Sequence, residues 1–350
     1  MKIGTTLSYA DGLYREAAHQ VAEMEKAGLD LVWAPEAYSF DAPSVMGYLA
    51  ALTERVQIGS GILPIYTRTP ALIAMTAAGV DALSAGRCHL GLGASGPQVI
   101  EGWHGVTYDA PIARTREVIS ICRKVWARTA PLAHNGRYYQ LPLPEGKGTG
   151  LGKPLKIIPH PVRARIPIWV AALGEQNVAM TAEVADGWLP TMFIPEKAKD
   201  VWADSLAAGA ARRDPQLEPL MIAAGGPLAI GEGADITALR DLARPRLALY
   251  IGGMGARGRN FYNDLACRYG YVQEAALIQD LYLAGKKREA EAAIPQEILD
   301  TTSLCGPPGW VAERLAAFRE AGVTHLLVNP LPTGEQSAAA LIGTLKELGC

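Results

Sequence analysis

The sequence predicts an α/β protein built as a single (β/α)8 barrel of the TIM type with two insertions. Three observations predict it. Short apolar runs alternate with helix-period segments along the chain, and eight such runs are found, the number that closes into a barrel. Hydrophobic residues make up 49% of 350 and charged residues 19%, enough for a large buried core and too apolar for disorder. No shift in composition marks a second domain, and a barrel of ~250 residues plus insertions accounts for the length.

Each element follows from local pattern. Lys2 to Ser8 reads as the first strand and Gly12 to Ala27 as a helix ending at Gly28. Leu29 to Ala34 is a second strand, Ser44 to Glu54 a helix, and Val56 to Leu63 a third strand. Pro70 to Ser84 is a helix opened by Pro, whose missing N–H is harmless in a first turn. Cys88 to Gly93 is a fourth strand, followed by a helix over Ala113 to Thr129. Pro131 to Ile166 is rich in Gly and Pro, and its Asn135-Gly136 pair is a turn signal, so this stretch reads as a β-hairpin insertion. Strands at Ile168 to Leu173, Gly187 to Met192 and Leu220 to Ile230 alternate with helices at Gln176 to Ala185 and Glu196 to Arg212. A mostly helical stretch from Asp235 to Thr301 exceeds a normal crossover and carries a Gly-rich break at Ile251 to Gly258. A helix over Pro308 to Ala321, an eighth strand at Thr324 to Asn329 and a last helix complete the pattern. Long loops at barrel mouths are often functional, so the hairpin insertion and the Ile251 to Gly258 loop are expected to shape a substrate lid.

Composition excludes several classes. Net charge is −2, with acidic and basic residues interspersed, which argues against nucleic acid as partner. No apolar run approaches the ~18 residues of a membrane span, and the first residues run straight into a strand without a signal-peptide layout. The five cysteines are scattered with no C-x-x-C, which points to reduced thiols in a cytoplasmic protein and to no metal site. The expected partner is a small-molecule substrate.

The motif most open to misreading is Gly91-Leu92-Gly93-Ala94-Ser95-Gly96, a literal G-x-G-x-x-G. A dinucleotide site needs an acidic residue at a strand end ~20 positions on, whereas Asp109 lies in a loop before Pro111. Two readings remain: glycines that let barrel strands pack tightly, or glycines that let a flat ligand approach backbone at the mouth, the preferred one. No serine-hydrolase elbow and no metal-spaced histidine pair is present.

The stretch Gly59-Ser60-Gly61-Ile62-Leu63-Pro64-Ile65-Tyr66-Thr67-Arg68-Thr69-Pro70 resembles the third-strand signature of the luciferase-like monooxygenase superfamily, above all its F420-dependent oxidoreductase branch. The likeness extends through Asp81 to Gly96, Pro167 to Asn177, Ala185 to Thr191 and Gly306 to Asn329, in order and over most of the chain. It implies a non-proline cis peptide at Gly61–Ile62 whose bulge presses on the cofactor's middle ring. It implies ring contacts from Glu36, Ala37, Ser60, Gly61, Ile62, Gly93, Ala94 and Ser95. It also implies that Ala171, Ala172, Leu173 and Gly174, which open a helix, hold a phosphate diester with help from Thr191. The cofactor implied is coenzyme F420, with FMN as the alternative. Arg68, Lys197, Lys199, Arg257 and Arg259 are candidates for its anionic tail.

The reaction implied is hydride transfer between the deazaflavin and a small organic substrate. The rivals are a two-component FMN monooxygenase of the same fold and a non-catalytic cofactor-binding barrel. The catalytic acid or base is unidentified; Glu36, Tyr66, Gln98, Glu101 and His104 are candidates near the mouth, and Trp103 and Trp188 are candidate walls of the substrate side. The chain departs from the branch's sugar-phosphate dehydrogenase pattern, with Ala37 in place of His and Gly96 in place of Glu, which argues against a sugar phosphate. By resemblance the chain forms a homodimer through the helices after the second and third strands.

Overall fold

The computed structural model describes residues 1–10, 12–334 and 336–350. Its barrel strands are β1 (Lys2–Thr6), β2 (Leu31–Ala34), β3 (Gln57–Ser60), β4 (Cys88–Gly93), β5 (Ile168–Ala171), β6 (Gly187–Leu189), β7 (Met221–Ile230) and β8 (His325–Pro330). Each pairs in parallel with the next, and β8 returns to β1, so the ring is closed. Hydrogen bonding on both edges of the eight ring strands closes them on one another. The fold class read from the sequence is the one observed.

Two separate apolar clusters show how the ring is filled. Leu31, Trp33, Trp169 and Ala223 pack inside it, and a much larger cluster lies between the strands and the outer helices. The interior indoles meet edge to face, with centroids 5.4 Å apart. Facing strands make room by giving up side chains. A Cβ on Gly59 would sit 2.3 Å from the Trp33 ring, and one on Gly91 would sit 1.9 Å from the Ser60 carbonyl oxygen. The glycines of the G-x-G run therefore serve barrel packing at Gly91, which corrects the preferred sequence reading for that residue.

The floor of the barrel is polar but closed. Trp169 Nε1–H donates to His89 Nδ1 at 2.8 Å, and an indole N–H can only donate, so His89 is neutral here. Burial pushes the His89 pKa down to about 3 and that of His325 to about 4. Carboxylates pin the same end of the barrel from outside. Glu25 accepts backbone N–H bonds from Glu54, Arg55 and Val56; burial opposes its ionisation, yet these donors hold its pKa below the usual value. Asp81, fully buried, takes a bidentate bond from Arg163.

The insertions differ from each other. Residues 131–166 form the expected hairpin, His134–Asn135 against Gln140–Leu141, but it straps the outer side of the helix Pro111–Ala127. Glu117 on that helix accepts from the N–H groups of Arg137, Tyr138 and Tyr139, and Arg163 returns to the floor. The lid role expected for the hairpin is not what these contacts build. The second insertion does reach the mouth, through helices Arg244–Ala248, Phe261–Arg268 and Val272–Leu283. Arg268 donates to the carbonyl of Leu173, and the Tyr269 hydroxyl donates to that of Met192. Its Gly-rich break is a π-helical turn, Leu249–Gly253. Two short elements escaped the sequence reading: strand Leu304–Gly306, which extends the sheet beside the far end of β7, and helix Pro97–Gly102.

Candidate active site

Parallel strands present their C-terminal ends at one rim, where loops can gather side chains from residues far apart in sequence. Consecutive strands β2 to β6 bring the expected cofactor residues onto one arc of that rim. Glu36 and Ala37 follow β2; Ser60, Gly61 and Ile62 follow β3; Gly93, Ala94 and Ser95 close β4. Ala171, Ala172, Leu173 and Gly174 follow β5, and Thr191 follows β6. The Gly61–Ile62 peptide is cis. Ile62 then leans over β4, where a Cβ on Gly93 would come within 2.9 Å of its side chain. Ser60 is fully buried, and its hydroxyl is spent on the main chain of Gly91, donating to the carbonyl at 2.8 Å and accepting from the N–H at 2.9 Å.

The loop after β5 is braced from behind. Trp188 Nε1 donates to the Ala172 carbonyl and Trp202 Nε1 to that of Leu173. Gly174 then opens helix Glu175–Val184 with no side-chain cap, and space beside its Cα is empty. Among the described residues no side chain caps the N–H groups of this first turn, and the buried Asn177 side-chain oxygen has no hydrogen-bond partner.

Several candidates change role. Trp188 is fully buried on the outer side of the ring, packed on Trp202 and Phe193, so it braces a loop and walls no substrate space. Glu36 is bound bidentately by Arg68 at 2.5 and 2.8 Å and accepts from the Ala42 N–H. With its side chain 7% exposed, it is a mouth ion pair that locks the β2 and β3 loops, which leaves neither Glu36 free as a base nor Arg68 free for a tail. The Tyr66 hydroxyl donates to the Asp109 carbonyl at 2.6 Å, and burial, with Tyr108 and Asp109 close by, raises its pKa. It is a strut between loops. Lys197 and Arg257 are committed to Glu297 and Asp280. Lys199 lines an outer groove with Trp202 and Glu320, away from the rim. Arg259 is exposed.

Gln98 is exposed on the short helix Pro97–Gly102, and Glu101 accepts from the Tyr108 N–H. His104 follows, half-buried, with Nε2 unpartnered. Trp103 is 68% exposed, its ring 6.2 Å from that of Tyr38. The sequence reading missed the other arc of the rim. Tyr9 after β1 comes beside Tyr250 of the second insertion, whose ring meets that of Tyr262 edge to face, with Arg246 above the Tyr250 ring. A signal existed in the five tyrosines of that insertion, but nothing in their spacing tied them to Tyr9.

With the geometry in place, comparison identifies the architecture. Residues 1–325 match the family described as luciferase-like monooxygenase. The chain belongs to the luciferase-like monooxygenase family. A Mycobacterium tuberculosis relative, named as a putative coenzyme F420-dependent oxidoreductase, is 42% identical over 332 residues, 94% of each chain. The solved coenzyme F420-dependent tetrahydromethanopterin reductase of Methanopyrus kandleri superposes with a TM-score of 0.76 at 21% identity, covering 98% of this chain and 96% of its own. An F420-dependent secondary alcohol dehydrogenase gives a TM-score of 0.71 at 18% identity, covering 99% and 97%. At those identities the two structures speak for the shared barrel. The family resemblance read from the third-strand signature is thus met.

Proposed function

We propose that this family member is a coenzyme F420-dependent oxidoreductase moving hydride to or from a small organic substrate. The observation that carries the proposal is the 42% identity, over nearly the whole of both chains, to a relative named for that cofactor. The donor set of the rim suits such a group. A planar ring needs an apolar shelf with room beside it, and Gly93, Ala94 and Ala171, small residues next to the Ile62 side chain, supply one. A phosphate diester needs unengaged N–H groups, and the uncapped turn after Gly174 supplies them beside Thr191. The bound deazaflavin supplies hydride chemistry at a ring carbon that resists oxygen. The chain's own work is to hold the loops: Trp188 and Trp202 fix the diester loop, and the Glu36–Arg68 pair fixes the loops after β2 and β3. Reduced thiols at all five cysteines agree with a cytoplasmic setting. Among the described residues no helix is long and apolar enough to cross a membrane.

The same reading extends to assembly. Tyr48 on helix Ala42–Leu52 and Leu72, Met75 and Leu83 on helix Pro70–Leu83 are exposed apolar side chains on the two helices that follow β2 and β3. A second copy covering them makes a homodimer. Leu72→Asp with Met75→Asp is expected to halve the mass measured by light scattering; an unchanged dimer would refute this interface, and a wild-type monomer would refute dimerisation itself.

The test of the cofactor is a parallel titration of purified protein with coenzyme F420 and with FMN, read by fluorescence quenching. Saturable quenching by the deazaflavin at tenfold lower concentration than FMN is expected, at about 1.4 kcal/mol of preference. Tighter FMN binding would favour the monooxygenase reading, and binding of neither would refute both.

A further inference from the structure

We propose that Tyr250, held by Tyr9 and set beside Arg246, is the group that exchanges a proton with the substrate's oxygen, and that the substrate class is a carbonyl compound or its alcohol. The inference rests on the hydride-transfer reading and adds to it the missing acid and base. The two arcs of the rim divide the labour. Strands β2 to β6 carry the small residues and N–H groups, whereas the sector from β7 through β8 to β1 is covered by the second insertion. Tyr9 leaves β1 and its side chain comes beside that of Tyr250. The Tyr250 and Tyr262 rings meet edge to face at 4.5 Å, and the Arg246 guanidinium stands 5.4 Å from the Tyr250 ring centre. Asn260 fixes this segment by donating to the carbonyls of Tyr250 and Ile251. The groups around the phenol pair include Arg246, Tyr262, Tyr38 near Tyr9, and Tyr108 across the mouth.

That composition selects the chemistry. When a hydride reaches a carbonyl carbon, the new C–H bond forms as the C=O π bond breaks, and its electron pair becomes an alkoxide. Reduced F420, if bound on the rim, would supply both electrons of that hydride and be oxidised. The Tyr250 hydroxyl gives its proton to the alkoxide, and the Tyr250 phenolate regains one from Tyr9, itself open to water at 45% exposure. A guanidinium with no recorded ion-pair partner among the described residues stabilises both anions in turn. It would oppose a cationic acceptor such as an iminium carbon, which needs no proton donor either. Desolvation and the neighbouring phenols push Tyr9 up to about 12, so Tyr9 keeps its proton at neutral pH and can pass it on.

The test uses 4-nitrophenol as an oxyanion probe, with the wild type and Tyr250→Phe, Tyr9→Phe and Arg246→Gln variants, with and without the deazaflavin. Wild type is expected to bind the dye as its phenolate, seen as yellow absorbance at a pH where the free dye is mostly neutral. Tyr250→Phe and Arg246→Gln should each weaken that binding about tenfold, as loss of a hydrogen bond or cation at an anionic oxygen does. F420 quenching should stay within about twofold in every variant. In turnover with a ketone panel, Tyr250→Phe should lower kcat far more than it raises KM. Tyr9→Phe should shift the alkaline limb of the kcat profile, which a structural role would not. Equal dye affinity in wild type and variants, or no dye binding by a wild type that binds the deazaflavin, overturns the proposal. Dye binding without deazaflavin binding overturns the cofactor reading instead and leaves the oxyanion site standing.

Discussion

Replacing Gly91 by Ala tests the claim that barrel closure, and not ligand approach, dictates this glycine. The added Cβ would sit 1.9 Å from the Ser60 carbonyl oxygen and 3.2 Å from the Trp33 ring. An ordinary carbon–oxygen contact is about 3.3 Å, so β3 and β4 must part by about 1.4 Å. The obstruction is main chain, which no rotamer can relieve. Parting the strands also strains both bonds between the Ser60 hydroxyl and the Gly91 main chain. Overpacking costs about 1–3 kcal/mol and each lost hydrogen bond about 1 kcal/mol, so a total loss of about 3–5 kcal/mol is expected. The assay is urea unfolding followed by far-UV circular dichroism and tryptophan fluorescence, with Gly343→Ala as control. Gly343 lies within helix Ala338–Glu347 with nothing near a Cβ, so that change should stabilise by up to about 1 kcal/mol. A Gly91→Ala protein as stable as wild type, within about 1 kcal/mol, would refute the packing argument and return this glycine to the ligand.

Three further outcomes follow from the same contacts. Glu36→Gln leaves the Arg68 charge half-buried without its partner and should cost about 3–5 kcal/mol, whereas a catalytic Glu36 would lose activity at unchanged stability. Denaturation midpoints together with rates separate the two. His89 is held neutral, with its pKa about 3 against 6.5 when unfolded, so the unfolded chain binds the extra proton first. Stability should therefore fall as pH drops from about 6.5 toward about 3, by about 2 kcal/mol at pH 5 from this residue, and His89→Asn should flatten that slope. Trp188→Phe keeps the packing against Trp202 but removes the N–H that braces Ala172; deazaflavin affinity should fall by about threefold to tenfold, read by quenching, with the fold intact by circular dichroism.

Much of the architecture was legible because it is written in local periodicity. Cys88–Gly93 has the bounds read from the sequence, and Pro70–Leu83 differs by one residue, because Pro opens it and Thr69 caps it. The short strand Leu304–Gly306 was not legible. Three residues carry no period, and it exists because the far end of β7 extends past the ring and offers partners. The rim residues of β2 to β6 were legible as a group through the third-strand signature and the glycine run, since each sits at a strand end. Their individual roles were not. Whether Glu36 is a base or an ion-pair partner depends on Arg68, 32 residues away.

By itself, then, the sequence determined the closed ring of parallel strands, the sites of both insertions and the residues that reach one rim. Hydrophobic spacing, turn chemistry and glycine placement act over a few residues and survive without knowledge of the rest. Only the tertiary structure decided which tryptophan fills the barrel and which braces a loop from outside. Only it turned one insertion into an external strap and the other into a cover for the mouth. Those outcomes depend on which groups meet across the fold, as Tyr9 meets Tyr250, and contacts so distant along the chain leave no pattern in either segment.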